Sequence, residues 1–508
     1  MQIIFGSDSN PNAIISAIVE KYAENTCITR GETGEKLSYR QIHELSGRVA
    51  GYLKKLGLRK GSAFSFLSRN CPEFFIFYIA SMKLGTLMVP TIVDLPAISL
   101  ADLFRRFNIK AVFYAEDQAD KIKELMTHYP QIQAFFLGTI IKNVSDCTEP
   151  VEDYEKVTAD DPISIYFSSG TTGEPKGIAH SIKNLLSDAA SLTDSYRFSS
   201  SDTQVGILPC YHTALNAYGF WPSFVLGSNF VVFDKFHRKD FWKNLSDYHA
   251  SFVEVVPTIL AMLMNPAEDL KKYNLTALKF IGSGSAPLAL NLKRKFEEIF
   301  KVRVVVHYGL SEASVTHHNS SHVHSNTQVS IGKPISICET RIMDNGKVVP
   351  NGTLGEIVMR GPNIVSGYYK NPEETSNVFI DNWFYTGDLG FRDNHGFYYI
   401  TGRKKEMISR GGEKIFPNEV DNVLLGIPGI KEVATIGIPS ELYGEEIAAY
   451  VVASGSVDES RIIEHCKSRL PLFKCPKEIL FIEVIPKTPS GKILRRLLVE
   501  KYKKALKT

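Results

Sequence analysis

The sequence predicts an α/β protein with a large N-terminal domain and a smaller C-terminal domain. Over the first 160 residues, helical patterns alternate with short runs of β-forming residues, and the alternation resumes near Val205. Such alternation is typical of layered parallel sheets with helices on their faces. From about 330 to 402, short strands separated by Gly-containing turns replace it. This change predicts a small antiparallel sheet or β-barrel within a domain that spans 1–402.

The individual elements are predicted in chain order. Tyr39–Leu56 is predicted to be helical because its apolar residues recur at the spacing of one helical face. Six short runs are predicted to be strands: Ala63–Leu67, Ala111–Tyr114, Val205–Pro209, Phe230–Phe233, Leu278–Ile281 and Val302–His307. The basic, Gly-containing segment 403–412 predicts a hinge, and 403–508 is the predicted α+β C-terminal domain.

Charge and cysteine content exclude several classes of protein. The 508 residues include 58 Lys and Arg against 55 Asp and Glu, a balance that gives no basic footprint for a nucleic acid. The seven cysteines are an odd number without a CxxC pair, which argues against a disulfide framework or a cysteine-rich zinc site. A reducing compartment is therefore expected, and no targeting signal is predicted. The expected location is the cytoplasm.

The most apolar stretch of the chain is predicted to be buried core. Leu208–Phe233 is interrupted by polar and helix-breaking residues, among them His212, Asn216 and Pro222. A helix that spans a bilayer rarely carries so many of these residues. No integral membrane segment is therefore expected.

A Gly-rich segment after a predicted strand is the strongest local signal for a ligand site. Residues 166–177 read Tyr-Phe-Ser-Ser-Gly-Thr-Thr-Gly-Glu-Pro-Lys-Gly and overlap the end of the β-like run Pro162–Phe167. Glycines let the backbone turn tightly and direct N–H groups at phosphate, while the hydroxyls and the lysine add donors. Pro175 and Gly177 stand where a Walker A loop requires Gly and Ser or Thr, so this is a phosphate loop of another kind.

Eight stretches in a fixed order carry a resemblance to a known family. Besides 168–177 they are Pro209–His212, Gly282–Leu288, Tyr308–Glu312, Tyr385–Asp388, Gly402–Glu406, Gly411–Glu413 and Pro489–Lys492. They resemble the signatures of adenylate-forming (AMP-binding) enzymes, which include acyl-CoA synthetases, adenylation domains and firefly luciferase. The resemblance covers most of the chain and favours the acyl-CoA synthetase branch. It implies that the small C-terminal domain is mobile.

The resemblance implies an ATP site. The residues implied to hold the nucleotide are Ser168, Ser169, Gly170, Thr171, Thr172, Gly173 and Lys176 for the phosphates, Ser285, Ala286 and Tyr308 for the adenine, Ser311 beside them, and Asp388 and Arg403 for the ribose. Glu312 is implied to bind Mg²⁺ with help from Thr171, since Mg²⁺ prefers oxygen ligands and keeps several waters. Outside this family pattern, Glu312 would indicate only a helix start and Asp388 only a turn.

The resemblance also assigns catalysis and domain movement. Lys492 resembles the mobile lysine that bridges the substrate carboxylate and the α-phosphate, although a lysine in a basic tail is usually a surface residue. His212 is implied to flank the acyl pocket and the thiol tunnel, although a lone histidine there is usually a core residue. Lys405 is the implied hinge between the two reaction steps. Gly411 and Gly412 are implied to form part of the tunnel for CoA, where side chains would obstruct the pantetheine arm.

A group of histidines has the residue type of a metal site. His317, His318, His322 and His324 lie in a stretch rich in Ser and Asn without accompanying carboxylates. Metal sites usually combine histidine with carboxylate or cysteine ligands. A solvated loop near the acyl pocket is therefore the prediction for this stretch.

The predicted function is that of an ATP-dependent carboxylic acid–CoA ligase, which forms an acyl-adenylate and transfers the acyl group to the thiol of CoA. The stretch Tyr211–Phe220 contains no acid to pair with a substrate ammonium, so an α-amino acid is not expected. Aromatic and aliphatic acids both remain open. The alternatives are a stand-alone adenylation enzyme that loads an acyl carrier protein, a luciferase-like oxygenase and a non-enzymatic acyl-nucleotide binder.

Overall fold

The computed structural model describes residues 10–144, 156–169, 175–320, 329–454, 457–488 and 493–506. Its strands are Thr26–Arg30 (β1), Lys36–Ser38 (β2), Ala63–Leu67 (β3), Leu87–Pro90 (β4), Ile109–Tyr114 (β5), Gln133–Phe136 (β6), Pro162–Ser169 (β7), Pro175–Ser181 (β8), Thr203–Gly206 (β9), Asn229–Val232 (β10), Phe252–Val255 (β11), Phe280–Ser283 (β12), Val304–Leu310 (β13), Ser314–His318 (β14), Lys333–Pro334 (β15), Glu339–Asp344 (β16), Lys347–Val348 (β17), Gly355–Arg360 (β18), Phe379–Ile380 (β19), Trp383–Arg392 (β20), Tyr398–Arg403 (β21), Ile408–Arg410 (β22), Glu413–Ile415 (β23), Ile430–Ser440 (β24), Gly444–Ala453 (β25) and Glu478–Phe481 (β26).

The helices cover the sheets and connect their strands. They are Pro11–Tyr22 (α1), Tyr39–Lys55 (α2), Pro72–Leu84 (α3), Ala97–Phe107 (α4), Ala119–His128 (α5), Leu137–Val144 (α6), Ile182–Tyr196 (α7), Trp221–Leu226 (α8), Phe241–Asp247 (α9), Pro257–Leu263 (α10), Leu290–Phe300 (α11), Pro372–Val378 (α12), Pro417–Leu424 (α13), Glu459–Lys467 (α14) and Arg495–Ala505 (α15). In the described parts of the chain, none of these helices is long and apolar enough to cross a bilayer.

Two mostly parallel sheets form the body of the N-terminal domain. A six-stranded sheet has the order β6-β5-β3-β4-β7-β8, and only its last pair, β7 and β8, is antiparallel. A nine-stranded sheet has the order β15-β14-β13-β12-β11-β9-β10-β1-β2, with a parallel run from β13 to β1. The prediction of layered parallel sheets is therefore confirmed.

Helix α3 lies between the two sheets. Every residue of α3 except Glu73 is buried, as expected of a helix that is apolar on all sides. Phe74 packs edge-on against Phe66 of β3, and Phe75 packs against Phe230 of β10. The neighbouring helix α2 ends one residue before its predicted limit and starts with a capping box formed by Ser38 and Gln41. The core of the domain is thus an aromatic layer between two sheets.

A third sheet is antiparallel, as predicted for 330–402. Its path is β17-β16-β18-β20-β19, and β21 pairs with β20. Asp388 in β20 lies opposite Arg403, the last residue of β21. The C-terminal sheet then begins at Ile408. The connection between the two sheets is therefore the short segment 404–407, which includes the predicted hinge residue Lys405.

The C-terminal domain is a five-stranded sheet with helices on both faces. Strand β25 pairs with β24 antiparallel and with β26 parallel. One face carries an apolar cluster that includes Val420 of α13 and Ile462 of α14. On the other face, Leu498 of α15 packs with Ile436 of β24. The observed unit matches the predicted α+β class.

The prediction of a solvated histidine loop is wrong for His317 and His318. Both belong to β14, which pairs with β13, and His317 is fully buried beside the rings of Tyr308 and Tyr398. The Ser- and Asn-rich composition of the residues after His318 indicated a loop. His317 and His318 themselves lie in a strand of the nine-stranded sheet. His322 and His324 lie outside the described residues. The apolar stretch Leu208–Phe233 is predicted to be core, and its π-helical turn Leu215–Phe220 is indeed buried.

We predict opposite effects on stability for two Gly-to-Ala substitutions. A Cβ on Gly282 in β12 would lie 1.8 Å from Glu254 Oε2 and 2.6 Å from His307 Cε1, so Gly282→Ala should destabilise the fold by about 1–3 kcal/mol. Gly51 lies inside α2, and a Cβ added there would meet no atom within 4 Å, so Gly51→Ala should stabilise by about 0.5–1 kcal/mol. Thermal unfolding checks both, and an unchanged midpoint for Gly282→Ala would contradict the close approach.

Candidate active site

One large cavity lies at the carboxyl ends of the parallel strands of the nine-stranded sheet. Its volume is about 1370 Å³. The segments that follow β9 and β11 contribute Leu208 and Val256, and the segment after β12 contributes Ser285. Ligands of α/β sheets bind outside the carboxyl ends of strands, where such loops converge. Lys414 and Thr488 of the C-terminal domain also line the cavity, so it lies between the two domains.

A buried carboxylate is held at one side of this cavity. Arg403 Nε lies 2.8 Å from Asp388 Oδ1, and the hydroxyl of Tyr308 donates to Asp388 Oδ2 at 2.6 Å. The backbone N–H of Asp388 donates to Thr386 Oγ1 at 3.0 Å. Burial and the neighbouring carboxylate raise the pKa of the Tyr308 phenol well above its ordinary value. The phenol therefore stays protonated and serves as a fixed donor to Asp388.

A second set of contacts joins the predicted phosphate loop to the predicted metal ligand. Lys176 Nζ contacts Glu374 Oε1, and it lies 5.0 Å from the centre of the Tyr368 ring. The Tyr368 hydroxyl donates to Glu312 Oε1 at 2.9 Å. Lys176 and Glu312, which are distant in the sequence, are thus connected through one aromatic side chain.

The predicted residue His212 lines the cavity as a neutral imidazole. Burial lowers its pKa to about 4. Its Nε2 atom is buried and has no hydrogen-bond partner among the described residues. Burial also lowers the pKa of the cavity residue Lys405, and the charge of Arg403 adds to that effect. The two side chains therefore differ in proton affinity from exposed residues of the same type.

The cavity lining contains both charged and apolar side chains. Cations outnumber carboxylates, and the cations are Lys176, Lys235, Arg403, Lys404, Lys405, Lys414 and Lys487. The carboxylates are Glu312, Asp344, Glu356 and Glu374. The apolar part of the lining includes Ile207, Leu208, Ala214, Ala217, Tyr218, Val256, Ile259 and Leu310. This arrangement suits a ligand with an anionic part and an apolar part.

The structure brings together some of the sequence-predicted residues and not others. The predicted residues Lys176, His212, Ser285, Ser311, Glu312, Arg403 and Lys405 line the cavity, and Asp388 contacts Arg403. Ala286 and Tyr308 are not part of the lining, although Tyr308 reaches the site through Asp388. Ser285 has a positive φ of 66°, which turns the chain at the end of β12.

Both ends of the predicted phosphate motif lie in strands. Strand β7 extends to Ser169 and β8 begins at Pro175, so Lys176 lies in a strand opposite Ser168. Gly170, Thr171, Thr172 and Gly173 lie outside the described residues, and so does Lys492. The two strands that flank the motif are therefore an antiparallel pair at the edge of the six-stranded sheet.

Gly411 and Gly412 lie in the turn between β22 and β23 and do not line the cavity in this arrangement of the domains. Their φ angles are 58° and 90°. A Cβ on Gly412 would meet no atom within 4 Å. Backbone conformation, rather than lack of space, thus favours glycine at position 412, whereas a Cβ on Gly411 would also lie 3.2 Å from Tyr443 Cδ1. Their prediction as part of a CoA tunnel stays a prediction.

Sequence reasoning missed Tyr368 and Glu374. Tyr368 is 56 positions from its partner Glu312, and Glu374 is 198 positions from Lys176. Both residues lie in or near a short helix whose sequence, Pro-Glu-Glu-Thr-Ser-Asn-Val, indicates only a capped helix start. No local pattern distinguishes a carboxylate that faces a cavity from one that faces water.

Comparison with known proteins identifies the family. The sequence model described as AMP-binding enzyme matches residues 15–369, and the model of the AMP-binding enzyme C-terminal domain matches 419–492. The chain belongs to the AMP-binding enzyme family. The predicted family and fold class are thereby confirmed.

This AMP-binding enzyme aligns with curated acid–CoA ligases over nearly the whole length of both chains. The sulfoacetate–CoA ligase of Cupriavidus necator is 28% identical over 96% of this chain and 97% of the relative. The oxalate–CoA ligase of Arabidopsis thaliana is 30% identical over 92% and 93%. The 2-succinylbenzoate–CoA ligase of Bacillus licheniformis is 31% identical over 91% and 94%. These relatives agree with the predicted enzyme class and differ widely in their acids.

Solved structures share the same fold. The crystal structure of ATP-bound MatB from Rhodopseudomonas palustris aligns with a TM-score of 0.88 at 27% identity, over 97% of this chain and 99% of that one. A fatty acyl-CoA synthetase of Mycobacterium tuberculosis aligns with a TM-score of 0.78 at 27% identity, over 98% and 99%. The arrangement of the two domains is therefore one that this AMP-binding family adopts.

We predict that the AMP-binding enzyme loses stability as the pH falls below 6.5. Burial lowers the pKa of His180, His212 and His318 to about 4, and that of His307 and His317 to about 3. A histidine in the unfolded chain titrates near pH 6.5, so between about 6.5 and 4 the unfolded state binds more protons. The contribution of these groups to stability is therefore complete above pH 6.5 and is lost as the pH falls.

The measurement is the thermal midpoint from pH 8 to pH 4.5. Each buried histidine contributes at most about 1.4 kcal/mol per pH unit to the slope. His180→Gln should make the slope shallower, whereas His395→Gln, at an exposed turn, should leave it unchanged. A midpoint that stays constant between pH 6.5 and 5 would contradict the burial of these imidazoles.

Proposed function

We propose that this chain is an AMP-forming acid–CoA ligase that activates a carboxylic acid with ATP and transfers the acyl group to CoA. The observation that carries the proposal is a cavity whose lining combines seven cations with a set of apolar side chains. Joining a carboxylate to the α-phosphate of ATP brings two anions together, and positioned cations lower the cost of that approach. The apolar part of the lining offers a place for the tail of the acid.

The nucleotide is assigned to the cationic part of the lining. Asp388 is assigned to the ribose hydroxyls, since a carboxylate accepts two hydrogen bonds, and Arg403 holds its orientation. The phosphates are assigned to 168–173 and Lys176. The adenine is assigned to the segment around Ser285 and Ala286, next to Tyr308 and Ser311.

Magnesium is assigned to Glu312 together with Thr171. Tyr368 donates to only one carboxylate oxygen of Glu312, and Oε2 accepts no hydrogen bond from the described residues. Within the described parts of the chain, no group of three His, Cys, Asp or Glu side chains forms a metal site. A single carboxylate suits Mg²⁺, because phosphate oxygens and waters complete its shell. When bound, the ion neutralises phosphate charge.

In the first step, a carboxylate oxygen of the acid attacks the α-phosphorus, the bond to the bridging oxygen breaks, and pyrophosphate leaves. Lys492 is assigned a contact with both reacting anions, the carboxylate of the acid and the α-phosphate of ATP. Thr488 lines the cavity, and Ile493 pairs with Lys487, whose side chain forms an ion pair with Glu432 at 2.6 Å. The cavity position of Lys487 and Thr488 supports the assignment of Lys492 to this reaction.

In the second step, the thiol of CoA loses its proton to solvent, its sulfur attacks the acyl carbon, the bond from that carbon to the AMP oxygen breaks, and AMP leaves with the bonding electrons. We assign the domain rotation between steps to the 404–407 connection, with Lys405 as the hinge, and the pantetheine path to Gly411 and Gly412. His212 flanks this path. Its pKa of about 4 makes it a poor base, so its contribution is contact and hydrogen bonding rather than removal of the thiol proton.

The acid is assigned to the aromatic or aliphatic class. Residues His212, Thr213, Ala214, Ala217 and Tyr218 line the cavity, and the segment 211–220 that supplies them carries no carboxylate. A buried substrate ammonium would lack a counter-ion there, which is costly. This supports an acid without an α-amino group.

An acyl carrier protein is the second candidate acceptor. The solvent face of α15 carries the exposed cations Arg496, Lys501, Lys503 and Lys504. Carrier proteins with an acidic surface would be attracted to such a face. The CoA assignment has the broader support, because the relatives over the full length are CoA ligases.

We predict pyrophosphate release with one class of acid, and acyl-CoA as the product. The measurement combines pyrophosphate release over a panel of aryl, medium-chain and long-chain acids with mass spectrometry of the products, with and without CoA. Acyl-CoA from one class supports the ligase. Release of pyrophosphate without formation of acyl-CoA, with acyl-AMP remaining bound to the enzyme, would indicate that the acceptor is a carrier protein. No release with any acid, together with no ATP binding, would overturn the proposal.

We further predict that Lys492→Ala abolishes most of the adenylation without loss of folding. Removing a cation that contacts both reacting anions should lower kcat at least about a hundredfold. Lys503→Ala, which removes an exposed lysine of the same C-terminal domain, should leave kcat unchanged. If both variants form acyl-adenylate at the rate of the wild type, the assignment of Lys492 is wrong.

A further inference from the structure

Lys176 and Glu374 both line the cavity and form an ion pair that neither reaction step uses. Lys176 is the only cation of the predicted phosphate motif, and its side chain is 10% exposed in the described structure. Glu374 is 26% exposed and contributes its carboxylate from α12, next to β8: the N–H of Tyr369 donates to the carbonyl of Gly177 at 2.7 Å. In this structure, Glu374 therefore neutralises the cation assigned to the phosphates.

Hydrogen bonds within and next to α12 hold the backbone of Glu374 in place. The N–H of Glu374 donates to Asn371 Oδ1 at 3.1 Å, which caps α12. The helix is also tied to Tyr368, whose N–H donates to Thr375 Oγ1 at 2.9 Å. The carboxylate thus projects from a fixed backbone toward Lys176.

Tyr368 separates this pair from the second carboxylate of the site. Its ring lies beneath Lys176 Nζ, and its hydroxyl donates to Glu312. The charges of Glu312 and Glu374 both raise the pKa of the Tyr368 phenol, in addition to burial. Lys176 therefore lies between two carboxylates, one assigned to the metal and one without an assigned role.

We propose that Glu374 is a built-in competitor of the nucleotide, which holds Lys176 until the β- and γ-phosphates of ATP displace it. The inference rests on the proposed function. A triphosphate bound by Lys176 brings several negative charges next to Glu374 and repels its carboxylate, so the Lys176–Glu374 contact breaks when Lys176 binds the phosphates. ATP binding then carries the cost of that broken pair, and so does the binding of pyrophosphate. AMP lacks both outer phosphates and does not carry it.

The proposed competition predicts different effects for ligands that carry the two outer phosphates of ATP and for AMP, which lacks them. Removing the Glu374 charge should strengthen the binding of ATP and of pyrophosphate but not that of AMP. A merely orienting role for Glu374 gives the opposite sign, because a misdirected Lys176 would weaken both polyphosphate ligands. A structural role would lower thermal stability without changing the preference for ATP over AMP.

The experiment is isothermal titration calorimetry with Mg²⁺ and without acid or CoA, using the full-length chain. The ligands are the α,β-methylene analogue of ATP, inorganic pyrophosphate and AMP. For Glu374→Gln we expect the Kd of the first two to fall by about three- to tenfold, the range for a partly buried ion pair, while the Kd of AMP stays within about twofold. Glu374→Asp, which withdraws the carboxylate by one methylene, should fall between wild type and Glu374→Gln.

Glu373→Gln is the matched control. It removes the same charge at the adjacent position, where the side chain is exposed, and should leave all three Kd values unchanged. Unchanged or weaker binding of the analogue and pyrophosphate by Glu374→Gln would overturn the competition, and so would an equal change for AMP. If Glu374→Gln melts below the wild type, Glu374→Asp decides by the same criterion. Failure of the wild type to bind any of the three ligands would instead overturn the proposed function.

Discussion

The carboxylate of Asp388 is the point at which three parts of the molecule meet. It belongs to β20 of the antiparallel sheet, accepts a hydrogen bond from Tyr308 of the nine-stranded sheet, and pairs with Arg403 at the end of β21. The C-terminal sheet begins shortly after Arg403, at Ile408. Because Asp388 is almost completely buried, its charge requires both partners. This constraint fixes the antiparallel sheet against the parallel one and anchors the start of the interdomain connection.

Burial keeps two ionisable side chains next to the cavity, Glu254 and His307, in their neutral forms. Glu254 is buried next to His307, and its Oε2 lies 2.7 Å from His307 Nδ1. Burial raises the pKa of Glu254 well above its usual range and lowers that of His307 to about 3. Both groups are thus neutral behind Tyr218, whose ring stacks on the His307 imidazole. The pair behind the lining residue Tyr218 therefore adds no net charge to this part of the cavity.

Some features of this protein can be predicted from its sequence and others cannot. The difference is whether a feature depends on residues that are close together in the chain or far apart. Ala63–Leu67 is predicted to its observed limits, because a buried parallel strand is a short apolar run with local boundaries. The site motifs are visible because a family signature keeps its residues together in the chain. The prediction for His317 is wrong, since its burial depends on pairing with β13 and on the ring of Tyr398 from another sheet. Tyr368 and Glu374 escape prediction for the same reason, because their partners are set by tertiary packing.

Under the proposed function, the ion pairs of the cavity bear on product release as well as on substrate binding. Cations without partners would bind polyphosphate tightly and would hold pyrophosphate after the first step. Here Lys404 lies 3.0 Å from Glu356, and Lys176 contacts Glu374. If an anion displaces either carboxylate, the ion pair can re-form as the anion leaves, which lowers the cost of release. By contrast, the buried carboxylate of Asp388 has two partners, Arg403 and Tyr308, and displacing them would leave a buried charge unpaired. Under the proposal, Asp388 therefore keeps its partners while Glu374 releases its own.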